Sequence, residues 1–293
     1  MTRRGRSRLP PKLPDQARER TPAVPRQPSR RERLKDAHVA GKSARFTRDD
    51  VQRVVRSLVR GDTTYSLGVP GFTNLTMEHA HTAIGIVYGW DGEGTRPRID
   101  PQSTLNGFER ASERILEVAG GGGRLAFATA RPASLLGVYR ALAIAAADAG
   151  GMVLEAPQSS RIDHGRSRLW WLDGVAAVTD GENLLAHSSA AAADELLFVL
   201  PRPDLVVADG WFAGAALAAG LEVVAAADLD AVALAVAAWR GMAIRVVPLD
   251  ECRPPHAYRP LLEALGDAVI ARGPDDPFVP AGRSRPDGPR SGS

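Results

Sequence analysis

Short, wholly apolar runs alternating with amphipathic helical stretches predict an α/β fold: a three-layer sandwich with a mostly parallel sheet and helices on both faces. Two observations carry that prediction. The runs at 125–128, 205–208, 221–225 and 243–247 are too short for helices and too uniformly apolar for strands with one wet face. Each of the first three is followed by a stretch of helical periodicity, as βαβ units require. The plan is Rossmann-like but lacks a dinucleotide fingerprint. Gly120 to Gly123 precedes its strand instead of joining strand to helix, and no Lys-Ser/Thr follows, so it reads as a linker and not a phosphate loop.

In chain order, Thr47 with Asp50 marks a helix N-cap, after which Val51, Val54, Val55 and Leu58 recur at helical spacing toward Gly61. Residues 62–102 are loop-rich, with 77–88 open to helix or strand. Ser103 is placed as the cap of a helix carrying Phe108, Ala111, Ile115 and Leu116 on its apolar stripe. From Gly120 a strand at 125–128, a helix opened by Pro132 and a strand at 152–154 form the first βαβ unit. Strands at 168–172 and 175–178 flank Asp173-Gly174, a strong two-residue hairpin signal. A short strand at 184–186 and a helix at 190–196 precede the second unit: strand 205–208, helix 211–219, strand 221–225, helix 229–239 and strand 243–247.

The expected organisation is a disordered basic arm over 1–44, one α/β domain over 45–271 and a disordered tail over 272–293. Within the domain, 45–119 is helical and loop-rich and 120–271 is the Rossmann-like core. The charge is divided the same way. Residues 1–42 hold 13 basic and 4 acidic side chains, a net +9, whereas the remainder of the 293-residue chain is net −6. Nucleic-acid binding is therefore expected only through the arm or a local basic cluster, and the arm is also a candidate for a protein partner. No apolar run of about eighteen residues spans a membrane and no signal-peptide h-region is visible, so a cytoplasmic protein is expected. Cys252 is the single cysteine, which excludes an intramolecular disulfide.

Loops after the carboxyl ends of parallel strands meet helix N-termini, and that is where ligands bind in open α/β sheets. Thr129, Arg131 and Ser134 follow the first core strand and suit an anion, with Arg131 as a bidentate fork. Asp180, Asp209 and Asp250 each follow a strand. Asp180 with Asp209 is a candidate pair for Mg²⁺ or another divalent cation, and Asp250 a ligand-binding candidate. Trp211 offers a stacking face beyond Gly210. His164, in the polar segment 159–166 with Arg161 and Arg166, is a candidate proton donor. His187 is a further candidate for the same crevice. Glu78, His79 and His81 are a candidate metal or acid-base cluster, and Cys252 is a weak nucleophile candidate without a His partner.

The segments Phe127-Ala128-Thr129-Ala130-Arg131-Pro132-Ala133-Ser134-Leu135-Leu136-Gly137-Val138-Tyr139, Val206-Val207-Ala208-Asp209-Gly210-Trp211, Val246-Val247-Pro248-Leu249-Asp250 and Tyr258-Arg259-Pro260-Leu261 resemble an actinobacterial family labelled phosphatase. The resemblance covers roughly residues 85–265. It implies a phosphate ligand, and departs from the family pattern at two positions. Arg131 stands before Pro132 where members often have His, and Gly210 follows Asp209 where members often have His. Two functions are therefore expected: a hydrolase-like protein acting on or binding a small phosphorylated metabolite, or a non-catalytic α/β protein that binds a small anion. In the first, Asp209, or a metal held by Asp209 and Asp180, activates water, Arg131 stabilises phosphoryl charge and His164 protonates the leaving group.

Overall fold

The computed structural model describes residues 26–156, 161–162 and 165–272. Its centre is a seven-stranded sheet built from β3 (Arg124–Thr129), β4 (Met152–Val153), β5 (Arg168–Leu172), β6 (Val175–Thr179), β7 (Leu205–Ala208), β8 (Val223–Ala227) and β9 (Ile244–Pro248). The order is β5-β6-β3-β7-β8-β9, with β4 also paired to β3. All pairings in this sheet are parallel except β5 with β6. β6, β7 and β8 are buried along their whole length and β3 from Leu125 onward, as strands covered on both faces must be. Asp173 and Gly174 both adopt positive φ between β5 and β6, the twist that suits a two-residue hairpin.

The helices divide as the crossovers require. α5 (Pro101–Gly120), α6 (Pro132–Asp148) and α10 (Arg259–Arg272) pack together on one face. α7 (Ala190–Val199), α8 (Gly210–Ala218) and α9 (Val232–Trp239) lie on the other, with α4 (Met77–Tyr88) against α9. From β3 the chain crosses through α6 toward β4 and β6; from β7 it crosses through α8 in the opposite direction toward β8 and β9. Right-handed crossovers in opposite directions place their helices on opposite faces and open a crevice between them. The switch point lies between the carboxyl ends of β3 and β7, beside Thr129 and Asp209.

Several local expectations change. The segment 77–88 is helical, with Thr76 as its cap. Asp100 caps α5 instead of Ser103, because Pro101 takes the first helical position. Residues 184–186 contribute only an isolated bridge between Leu184 and Thr179. Gly121 to Gly123 form a tight turn packed on Val118, not a loose linker.

The ordered body also begins earlier than residue 45. Helix α1 (Arg30–Asp36) has a Ser29/Glu32 capping box and fully buries Leu34. Arg33 pairs with Glu263 at 2.9 Å and Arg30 with Asp267 at 2.6 Å, fixing α1 to α10. Strand β1 (Gly41–Lys42) then pairs antiparallel with β2 (Arg98–Ile99). Local composition misses these elements because the groups that fix them to the body, Glu263, Asp267 and β2, are distant in sequence. Among the described residues no helix is long and apolar enough to cross a membrane.

A candidate phosphate site at the switch point

The carboxyl ends of β3, β7, β8 and β9 surround a cleft of about 280 Å³. Arg131, Gly210, Trp211, Asp230 and Glu251 line it from the core, His187 and Ser188 from the loop before α7. Thr64, Tyr65 and Leu67, in or beside the short helix α3 (Thr63–Ser66), form the outer wall.

Asp209 bridges the switch point. It is fully buried, accepting from the Thr129 hydroxyl and from the Ala130 N–H, each at 2.6 Å. Thr129 Oγ1 in turn accepts from the Arg131 N–H at 2.9 Å. This chain fixes the β3–α6 turn against β7. It also turns the Asp209 carboxylate away from its own helix, for which it provides no side-chain cap. Gly210 follows at φ +54°, and a Cβ there would meet Ser188 Oγ at 2.8 Å. Ser188 Oγ accepts from the Trp211 N–H at 3.2 Å.

Side-chain capping separates the helices into two groups. α1, α2 (Arg48–Val59), α3, α4, α5 and α7 each carry an N-cap side chain bonded to the first turn. α6, α8 and α9 do not. These three begin at the cleft with their positive dipole ends toward it; the Trp211 N–H is taken by Ser188 Oγ and Pro132 has none, so the remaining first-turn N–H groups are the ones open to an anion.

Arg131 supplies a full charge beside them. Its Nε lies 3.5 Å from Glu251 Oε2, an ion pair longer than a hydrogen bond. Glu251 is only 4% exposed, and its Oε1 is buried without a hydrogen-bond partner. Burial pushes the Glu251 carboxyl well above its usual range, and the charges of Asp209, Asp230 and Asp228 add to the shift against the opposing Arg131. Asp209 is also pushed up by burial, opposed by the Thr129 and Ala130 bonds. Asp228, after β8, is raised to about 7 by burial and by Asp230 and Asp250, although it accepts from Leu229 N–H and Arg45, each at 2.7 Å.

The residues selected from sequence are thus only partly brought together. Arg131 and Trp211 line the cleft, as does His187. Thr129 and Asp209 lie directly behind it, occupied with each other. Ser134, in the first turn of α6, is half-buried but outside the lining. Asp250 is held by Arg253 Nε at 2.7 Å and the Cys252 N–H at 2.9 Å, also outside the lining. Asp180 is exposed and accepts from the Glu182 and Asn183 N–H groups of its own turn, so the Asp180–Asp209 pair does not converge in the cleft. Among the described residues no three His, Cys, Asp or Glu side chains group as a metal ligand set.

His164 lies outside the described residues, while Arg161 donates to the Gly165 carbonyl at 3.1 Å. His79 packs on Trp239 and His81 meets Gln52, so neither forms a cluster with Glu78. Burial pushes the Cys252 thiol up, against a thiolate role. Sequence reading missed Glu251, Asp230, Arg45 and Asp228 as site elements. A usable signal was present for three of them, since Asp228, Asp230 and Glu251 all lie just past strand ends; the strand placed at 221–225 ended two residues early.

The Phosphatase family model matches residues 25–271. The chain belongs to that family. It is 30% identical over 255 residues to "Phosphatase SCO2771" of Streptomyces coelicolor, an alignment covering 83% of this chain and 96% of the relative. The matched region contains every residue of the cleft, and family membership gives the chain a broadly phosphatase-like character.

Proposed function

We propose that the switch-point cleft hydrolyses the phosphate ester of a small metabolite. The supporting observation is the convergence of three helix N-termini, whose own N-cap residues provide no side-chain cap, on a pocket that also contains Arg131. The volume of about 280 Å³ suits a phosphoryl group with a compact alcohol. Trp211, Tyr65 and Leu67 provide the flat and apolar surface for that alcohol.

In this proposal Arg131 and the first-turn N–H groups hold the phosphoryl oxygens and offset the charge that grows on them. Glu251, whose hold on a proton is strengthened by its burial against the opposing Arg131, is placed to donate to the leaving oxygen. Asp230 takes the proton of the attacking water. The water oxygen bonds to phosphorus as the ester P–O bond breaks, giving inorganic phosphate and the alcohol. Asp209 is a positioning residue: with both oxygens occupied in the β3–α6 turn, it acts through Ala130 and Arg131.

Phosphate release from a panel of alkyl and aryl phosphomonoesters, with Mg²⁺, Mn²⁺ or chelator, tests the proposal. Arg131→Ala is expected to lower kcat/KM by about 100-fold or more for all esters. Glu251→Gln is expected to lower it by about 100-fold for alkyl esters and by much less for p-nitrophenyl phosphate, whose leaving group needs no proton. Equal turnover by wild type and both variants would reject the assignments. A wild-type protein that binds phosphate esters without releasing phosphate under any of the metal conditions would establish the non-catalytic alternative.

A further inference from the structure

A second concave surface lies outside the catalytic cleft, between α1, the β1–β2 ribbon and the start of α5. It encloses about 830 Å³ and is lined by Arg26, Arg31, Lys35, Lys42 and Arg98 together with Glu32 and Asp100. All five cations are exposed. The two acids are committed elsewhere: Glu32 to the capping box with Ser29, Asp100 to the first turn of α5.

The fold sets like charges side by side here. Arg31 and Lys35 are four residues apart on α1, a spacing at which like charges repel. Lys42 and Arg98 are direct cross-strand partners, again an unfavourable pairing. Gly41 brings the two pairs together, because without a side chain it lets the Lys35 stem pack on the ribbon; a Cβ would lie 3.1 Å from Lys35 Cγ. Arg26 reaches Glu32 only at 3.7 Å and Arg98 reaches Asp91 only at 3.9 Å. Lys35 and Lys42 form no ion pair among the described residues, and Arg31 acts on Glu32 only through its charge, without a salt bridge.

We propose that this groove binds the phosphate backbone of duplex nucleic acid without sequence preference. A polymer of closely spaced anions matches two adjacent repelling cation pairs, and binding would relieve the repulsion. The lining contains no aromatic side chain on which unpaired bases could stack, which favours a duplex over a single strand. Its few apolar residues provide no anchor for insertion into a bilayer. In sequence, residues 1–25 precede Arg26 and carry seven more Lys or Arg and only two acids.

Fluorescence anisotropy of a labelled mixed-sequence DNA duplex, titrated with the full chain between 50 and 200 mM NaCl, tests this proposal. A log–log salt slope of about −4.5 is expected if the five groove cations contact phosphates, steeper if the arm joins them. The Lys35→Glu/Lys42→Glu variant should bind at least tenfold more weakly at 50 mM, with the slope reduced by about 2. Because these substitutions remove like-charge pairs, the variant should melt no lower than wild type; Lys42→Gln, which adds no new charge, provides a second check with a slope change of about 1. Undiminished binding by the double variant, with binding lost when Arg3, Arg4, Arg6 and Arg8 are changed to Ser, would place the contact in the arm and overturn the groove. Binding of tripolyphosphate or of phosphatidylserine vesicles, with no binding of the duplex, would overturn the choice of ligand.

Discussion

At the scale of single residues, the cleft depends on a few atoms whose alternatives are costly. Asp209 is tolerated in a fully buried position because each of its oxygens accepts a short hydrogen bond. Thr129→Val keeps the shape of the partner and removes the donor, leaving a buried carboxylate oxygen unpaired. A loss of about 1–3 kcal/mol is expected in urea unfolding. Gly210 combines positive φ with a close neighbour, Ser188 Oγ, 2.8 Å from a would-be Cβ. Gly210→Ala is therefore expected to cost about 1–2 kcal/mol and to disturb the Trp211 N–H bond to Ser188, seen as a lower Tm and altered Trp fluorescence.

Among the elements, α8 shows how far small residues determine packing. A Cβ on Gly214 would run into the carbonyl oxygen of Leu67, which shuts the outer wall onto the helix, whereas a Cβ on Gly137 in α6 would enter open space. Gly214→Ala should destabilise by about 2–4 kcal/mol through overpacking of backbone against backbone. Gly137→Ala should stabilise by about 0.5–1 kcal/mol, because it replaces a poor helix former at an exposed position. Paired thermal melts decide between this picture and one in which both glycines are simply tolerated. The two sites look alike in sequence, each a lone Gly among apolar helix residues. Only the neighbouring chain distinguishes them.

Across the whole molecule, Asp209, Asp228 and Glu251 all have carboxyl pKa values raised by burial, each partly offset by hydrogen bonds or an Arg. The folded chain therefore holds protons that the unfolded chain would release, and stability must fall as pH rises through that interval. For Asp228 the interval runs from its ordinary value of 3.8 up to about 7. Unfolding free energy measured by urea should accordingly be lower at pH 8 than at pH 5. Asp228→Asn, which remains neutral throughout, should recover about 1–2 kcal/mol at pH 8 while changing little at pH 5. A profile that rises with pH in both proteins would contradict the buried, proton-retaining cluster.

Much of the architecture was legible in the sequence because it is encoded locally. Strands buried on both faces must be continuously apolar, Thr47 and Asp50 form their capping box within one turn, and Asp173-Gly174 has the turn chemistry of its hairpin. Arg131 and Trp211 could be selected because ligand sites in such sheets follow strand ends. Tertiary structure alone decided what each side chain does there. It put Thr129 and Asp209 into one another's hydrogen bonds, confined Asp180 to its own turn and brought Glu251 against Arg131. It also drew α1 into the body through α10, a partner more than two hundred residues away, and β1 through its pairing with β2. The physical reason is range: propensity and periodicity act over a few residues, whereas burial, carboxyl protonation and ion pairing depend on which distant groups the sheet order brings within a few ångströms.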